Sequence, residues 1–493
     1  MSQGKRMKTD STATSKKGRK TNKALDTFFK LIAFAYVVIT IIFYIAILKM
    51  DLLPGLVVTI FTIAEIVFTL AMVIGLLKKH KTYKLTIISF IIILFVSGIY
   101  IYVTNYALAT ISFLGDVFQE AKETEEYYVV VRKDSSYSKI EDIEDKNVHF
   151  FQVVDDVKSE VIKKVSVTLI NQENLLDLGN KLLDKNADVI LTSATQYSML
   201  SDEIKNFKED TKVLYTIKHE IQTSTKVEET GSKYSVKSGK FNVYISGIDT
   251  SGNIGNVSRS DANILMSINT DTHEALLTSI PRDYYVTLHS YGAKDKLTHS
   301  GIYGVNETVK TVEDLLDTDI NYYVRVNFTT VIKLVDKLGG IDVYSDYSFT
   351  TSDKLYTFKK GYNHMNGEEA LRFSRERYAF EGGDNQRVKN QQHVIEAVMK
   401  KVLNSTTLLT KYTDILDSLK GSFQTNIAQD DISALVKDQI NNMSSWTIKS
   451  NSLTGTGASS STYSMGSTKL YVMVPNSTSV TSAKEKIDEV LGE

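Results

Sequence analysis

The segment Phe373–Gln392, FSRERYAFEGGDNQRVKNQQ, sets Arg375, Arg377 and Arg387 around a Gly-Gly pair and Asp384. A guanidinium group is planar and permanently charged, and it grips phosphate oxygens at two points. Arginines gathered in this way suit a ligand with several negative charges, and a pyrophosphate offers such oxygens. A solvated salt-bridge face would use the same residues. The helical pattern that begins GEEALRF ends at Arg375 and Arg377, and Asp384 has the chemistry of an N-cap for the helix beyond it. In that helix Arg387 and Gln391 stand four apart and flank the apolar stripe of Val388, Ile395, Met399 and Val402, which places them at the edge of its buried side.

A second cluster lies in GIDTSGNIGNVSRSD, where Asp249 ends one strand pattern and Asp261 opens the next. Two carboxylates at one sheet edge can hold a divalent cation, and a Mg²⁺ that keeps waters and takes substrate oxygens needs few protein ligands. Solvated loop carboxylates fit the same spacing. The Asp249, Ser251, Asn253 spacing is that of an EF-hand, but Ile254 occupies the glycine position and Ser260 that of the closing glutamate. Arg259 stands two residues before Asp261. In SIPRDYY, Arg282 and Asp283 follow a strand pattern, and Lys296 in KLTHSG adds a further cation. His289, His299, His364 and His393 lack ligand spacing and read as structural. No nucleophile elbow, Walker or zinc motif is present.

Elements to position these residues follow from periodicity. Three apolar runs, Leu31–Leu48, Leu52–Leu77 and Leu85–Leu108, are each long enough to cross a hydrocarbon core. Basic residues crowd the first thirty positions and the KKHKTYK loop between the second and third runs. By the positive-inside rule these are cytoplasmic, and everything after about residue 108 lies outside the cell. Glu65, in the middle of the second run, is a costly intramembrane carboxylate that calls for a partner. The chain of 493 residues has no cysteine and a formal net charge of -1, which excludes thiol chemistry and gives no global reason to expect nucleic acid as a partner.

The division expected is a basic cytoplasmic tail (1–30), a three-helix transmembrane region (31–108), an extracellular accessory domain (109–236) and an extracellular catalytic domain (237–493). In the third part EYYVVVRK, NVHFFQVV, VTLIN and ADVILTS read as strands between amphipathic helices, a small α/β domain without catalytic signatures. In the fourth, FNVYISGID, ANILMSIN and EALLTSIPRDYYVTL read as successive strands, and helical patterns follow. A mixed sheet with helices on both faces is the natural packing. The Ser/Thr/Gly-rich stretch Thr454–Ser467 reads as a loop. The fold class is thus α/β, with transmembrane helices before it.

GID with RSD, then SIPRDYYV, KLTHSGIYG, VDKLGGIDV, NGEEALRFSRER and DNQRVKNQQ, in this order, resemble the LytR–CpsA–Psr family of bacterial cell-envelope enzymes. The resemblance is dense over Phe241–His393. The three spans and the extra domain resemble the family's streptococcal capsule-locus branch. The resemblance implies transfer of a glycopolymer, here capsular polysaccharide, from polyprenyl pyrophosphate to a peptidoglycan acceptor at the outer face of the cell membrane, with capsule-assembly proteins as further partners. It implies that Arg259, Arg282, Arg375, Arg377 and Arg387, with Gln391 and Lys296, bind the pyrophosphate. Asp249 and Asp261 would hold Mg²⁺ or Mn²⁺, and these two with Arg259 and Arg282 form the catalytic set. The sequence departs at Ala262, where relatives often have Thr, and at Asn390, where many have Arg. Val326, Phe328, Val331, Leu334 and Leu338 would line a lipid-tail groove or form plain core. Hydrolysis of the same carrier and a non-enzymatic regulator of capsule assembly are the competing readings.

Overall fold

The computed structural model describes residues 23–50, 53, 55–78, 84–117, 123–221, 234–248, 254–404, 421–428 and 446–493, with short pieces between 430 and 438. The chain divides into two compact units, Met1–Leu108 and Ala109–Glu493. In the first, the apolar runs form helices α1 (Lys23–Met50) and α2 (Gly55–Leu77), and α3, which starts at Lys84 and continues to Val117. All three are long and apolar enough to cross a membrane. A helix suits that setting because it satisfies its own backbone polar groups. Glu65 of α2 is buried, accepting from Tyr100 Oη at 2.5 Å and from Thr69 Oγ1 at 3.0 Å. The Tyr100 ring stacks on Phe43 of α1 with centroids 4.2 Å apart, so one carboxyl group links all three helices.

The described residues of the second unit form two main sheets and four two-stranded ones. The smaller contains β1 (Glu123–Arg132), β2 (Asn147–Phe150), β3 (Thr168–Asn171), β4 (Val189–Ser193) and β5 (Thr211–Ile221), in the order β3-β2-β4-β1-β5. β2 runs parallel to β3 and β4, while β1 is antiparallel to β4 and β5. Helices α4 (Asp155–Lys164), α5 (Leu175–Leu183), α6 (Ala194–Glu203) and the short α7 (Phe207–Asp210) complete it. Local rules set the starts of two of these helices. Asn174 caps α5 by accepting from the Leu176 and Asp177 amides, and Ser193 and Gln196 form a capping box on α6. One face of the sheet packs Val129, Val131, Val148 and Val157; the other packs Val130, Leu175, Leu178, Met199 and Phe207.

The larger sheet contains β6 (Lys240–Ile248), β7 (Ser260–Asn269), β8 (Glu274–Ile280), β11 (Tyr322–Asn327), β16 (Phe423–Thr425) and β17 (Thr447–Ser452), in the order β16-β11-β6-β7-β8-β17. It is mixed, with β11 parallel to β6 and β17 parallel to β8. Between β8 and β11 come the short β9 (Tyr285–Thr287) and β10 (Lys294–Lys296), then α8 (Leu297–Ser300) and α9 (Val305–Leu316). α9 and the C-terminal helix Ser477–Leu491 cover Tyr244, Leu265, Leu276 and Tyr323. A further layer is built from α10 (Phe328–Lys337), α11 (Gly367–Arg375) and α12 (Asp384–Asn404), with β12 (Ile341–Ser345) paired to β15 (Gly361–Met365) and β13 (Phe349–Thr350) to β14 (Thr357–Phe358). Gln392 docks α12 on the sheet, donating to the Leu277 carbonyl at 3.4 Å and to that of Asn451 at 2.5 Å.

Two sequence expectations change. EALLTSIPRDYYVTL is two strands, broken after Ile280, because Pro281 has no amide proton to give a ladder. The break frees Arg282 and Asp283 from the sheet. The Ser/Thr/Gly-rich stretch expected as a loop forms β18 (Gly455–Thr462), which pairs antiparallel with β19 (Gly466–Pro475). Most of β18 is solvent-exposed, so it carries no apolar alternation to betray it. The hairpin's turn reaches the smaller sheet, where Met465 and Leu470 complete the core beside Leu175. Asn174 Nδ2 donates to Ser467 Oγ at 3.0 Å and Thr468 Oγ1 at 2.6 Å.

Candidate functional site

The C-terminal ends of the parallel strands β6 and β11, the start of β7 and helices α10 to α12 surround a cavity of about 920 Å³. Carboxyl ends of parallel strands are where open α/β sheets place ligands. The lining is of two kinds. Arg259, Asp261, Arg282 and Lys296 gather near the strand ends with Arg387 of α12, and Arg375 at the end of α11 and Arg377 just beyond it join them. Val331, Leu334, Val394 and Val398, from the α10–α12 layer, are apolar.

Asp261 is the centre of the charged part. Arg282 Nη1 lies 2.9 Å from its Oδ1, and Thr298 Oγ1 donates to the same oxygen at 2.9 Å. Burial pushes the carboxyl up, but the guanidinium groups of Arg282, Arg259 and Arg387, with the Thr298 bond, outweigh it and hold Asp261 below the usual carboxylate range. Lys296 Nζ is 3.2 Å from Asp283 Oδ1, a pair that steadies the β8–β9 turn. Behind it His299 Nδ1 lies 2.7 Å from both Asp295 Oδ1 and Ser464 Oγ. These bonds fix the segment that ends at Gly301. A Cβ there would stand 2.6 Å from the Ser258 carbonyl and 2.8 Å from the Ser260 nitrogen, so glycine alone lets the turn lie against the segment that carries Arg259 into β7.

Arg259 Nη1 is 2.7 Å from Asp202 Oδ2, and Nη2 donates to Ser198 Oγ at 3.4 Å; both partners belong to α6 of the smaller sheet. The rim has another logic. Glu376 turns inward and accepts from the Ser352 amide at 2.7 Å and the Arg377 and Ala379 amides at 3.0 Å. Its neighbours Arg375 and Arg377 are therefore exposed, and the Arg377 guanidinium stacks 4.5 Å from the Tyr378 ring centroid.

Of the residues singled out in the sequence, Arg259, Asp261, Arg282, Lys296, Arg375, Arg377, Arg387 and Gln391 line this one cavity. Asp249 lies outside the described residues; Ile248, before it in the chain, pairs with Ser260, next to Asp261. Asp384 begins α12, with its side chain outside the described set, as is that of Phe328. Val326, Val331 and Leu334 line the cavity, whereas Leu338 packs in the core of the α10–α12 layer. Asn390 turns away from the ligand space: it is buried, donating to the Phe373 carbonyl at 3.2 Å, and ties α12 to α11. Sequence reasoning missed Asp202, whose place on the wall comes from a distant part of the chain, and Arg372, which also lines it and is paired with Glu368 at 2.7 Å. For a divalent cation, the ionised Asp261 carboxylate is a fitting hard donor.

The LytR_cpsA_psr family model matches residues 203–486. A protein of Bacillus cereus described as a polyisoprenyl-teichoic acid–peptidoglycan teichoic acid transferase, TagU, is 37% identical over 206 residues, 42% of this chain and 66% of its own. The protein of the same description from Enterococcus faecalis is 35% identical over 220 residues, 44% of this chain and 71% of its own. The chain thus spans less than two thirds of the first of these, and 61% of a third such relative from Bacillus licheniformis. A solved structure, TagT bound to LIIa-WTA, is 27% identical, with a TM-score of 0.43 over 55% of this chain and 97% of that one.

Proposed function

The chain belongs to the LytR–CpsA–Psr family, and on that premise we propose that it moves a glycopolymer, a capsular polysaccharide, from polyprenyl pyrophosphate to peptidoglycan at the outer face of the membrane. One observation carries this reading: a single cavity joins a cluster of arginines to an apolar wall. A pyrophosphate attached to a lipid tail has that same division of charge and grease.

The acceptor hydroxyl attacks the glycan-side phosphorus. A new O–P bond forms, the bond to the bridging oxygen breaks, and polyprenyl phosphate leaves with the electron pair. Arg282, Arg259 and Arg387 stabilise charge on the phosphoryl oxygens, and Lys296, which lines the same cavity, adds positive charge for the pyrophosphate. Asp261 is a poor base, since three guanidinium groups hold its carboxyl low. Its role is to orient Arg282 and, with Asp249, to hold Mg²⁺ or Mn²⁺. When bound, such an ion would supply further positive charge to the phosphoryl oxygens. The acceptor's proton passes to an aspartate other than Asp261, of which Asp202, Asp283 and Asp353 line the cavity.

The basic N-terminal segment and KKHKTYK loop support an outward orientation of the second unit. A reporter fused after residue 110 is expected to be active only outside the cell. The deciding assay gives the full chain in detergent a polyprenyl-pyrophosphate sugar and peptidoglycan fragments, and follows polyprenyl phosphate release and glycan attachment together. Attachment is the expected result. Release without attachment would assign a hydrolase, and neither product would overturn the enzymatic reading.

A further inference from the structure

Helix α6 of the smaller sheet presents Thr195, Ser198 and Asp202 at spacings of three and four, one face of a helix. All three meet the segment that leads to Arg259. Thr195 Oγ1 donates to the Val257 carbonyl at 3.3 Å, Ser198 Oγ accepts from Arg259 at 3.4 Å, and Asp202 Oδ2 pairs with Arg259 at 2.7 Å. The same segment is stitched to β1 by backbone bonds, Thr124 N to Gly255 O at 2.8 Å and Val257 N to Thr124 O at 3.0 Å. Met199, Ser201, Asp202 and Glu203 line the cavity. The smaller domain therefore forms part of the wall.

From this we infer that the smaller domain takes part in ligand selection, with Asp202 as the counter-ion that a phosphate group must replace at Arg259. The inference rests on the pyrophosphate reading of the cavity. The physical asymmetry within the pair supports it. The Arg259 side chain is 7% exposed and that of Asp202 55% exposed. A half-exposed carboxylate regains water at little cost when it lets go, while the buried guanidinium, which Asp261 also faces, gains most from an anion in direct contact. The bonds through Thr124 and Thr195 hold the loop without help from Asp202, so its release leaves Arg259 in place. Asp202 thus sets a threshold: an anion binds at this arginine only if it competes with a carboxylate already there. By linkage, ligand at Arg259 weakens the hold of α6 on the loop by the same factor that α6 weakens the ligand.

The test uses the full chain in detergent, with inorganic pyrophosphate as probe in titration calorimetry. Asp202→Asn keeps the shape and removes the charge; it is expected to tighten pyrophosphate binding about two- to fivefold, the range for a partly exposed ion pair. Thr195→Val loosens the loop instead and is expected to weaken it. Hydrogen exchange gives a second readout: pyrophosphate should speed exchange in α6 of the wild type and leave Asp202→Asn unchanged. Equal or weaker binding by Asp202→Asn would overturn the inference and make Asp202 a positioning residue. Arg375→Ala serves as the separate check on the cavity itself. If the wild type binds pyrophosphate no better than Arg375→Ala does, the pyrophosphate reading fails, and this inference with it.

Discussion

The two main sheets of the second unit solve packing in different ways. Among the described residues, the most fully buried polar side chains of the smaller sheet's region, such as Gln172, Asn174, Thr192 and Gln196, are neutral, and the partly buried Glu125 and Arg132 of β1 are among its exceptions. The region of the larger sheet buries Arg259, Asp295, Lys296, Glu307, Arg325, Glu376 and Arg387. Buried charge is costly, and stability alone gives little reason to keep it. Its concentration on one sheet separates a region built for packing from one built to hold charge.

Substitutions can break or sharpen that contrast. The largest effect is expected of Arg282→Ala, which removes a partly buried cation beside Asp261: transfer should fall about a hundredfold, by analogy with loss of one preorganised donor. Single-turnover rates on protein with checked circular dichroism would show it, and a loss below threefold would put Arg282 outside the chemistry. Next comes Met465→Ala in the core of the smaller sheet, fully buried. Stability should drop by about 2–3 kcal/mol in urea unfolding while transfer per folded molecule persists. An equal loss of both would blur the division of labour. Arg375→Lys at the rim keeps charge and loses the fork, for about a tenfold loss of transfer; wild-type rates would reduce the rim to a solvated face.

The smallest effect concerns pH. Burial lifts the Glu125 carboxyl above the glutamate range, against the bonds it accepts from Tyr127 and Ser193. The folded state then holds that proton more firmly than the unfolded chain does. Stability declines as pH rises from the unfolded value, about 4.3, through the raised folded one. Asp261 has the opposite sign: its contribution is present above about 3.9 and is lost as pH falls through its lowered value. Glu125→Gln should therefore raise the melting temperature at pH 7.5 by a few degrees at most, and less at pH 3.5. An equal gain at both would refute the shift.

Much of this was legible in the sequence, for physical reasons. The membrane helices showed as continuous apolarity, and the strands of the smaller sheet as short runs of Val, Ile and Tyr. The arginines were legible as types because few other uses gather planar cations. What stayed hidden depends on contacts between distant segments. Nothing local marks Asp202 as the partner of Arg259, since α6 carries little amphipathic pattern in sequence. β18 was hidden because its partner strand, and not its own composition, makes it a strand. Leu338 and Leu334 look alike in the pattern VIKLVDKL, and only the packing of α10 sends one to the core and the other to the cavity.

The turn between β18 and β19 has a consequence for the order of events in the cell. Met465 and Leu470 lie near the end of the chain, yet they close a core that opens with β1. During synthesis Leu175, Leu182 and Phe207 emerge early and must wait for partners made far later in the chain. The long separation costs little in final stability, because loop-closure entropy grows only slowly with length. Its price is delay: the core of the smaller sheet stays open until the hairpin docks, and meanwhile it offers greasy surface to chaperones and proteases.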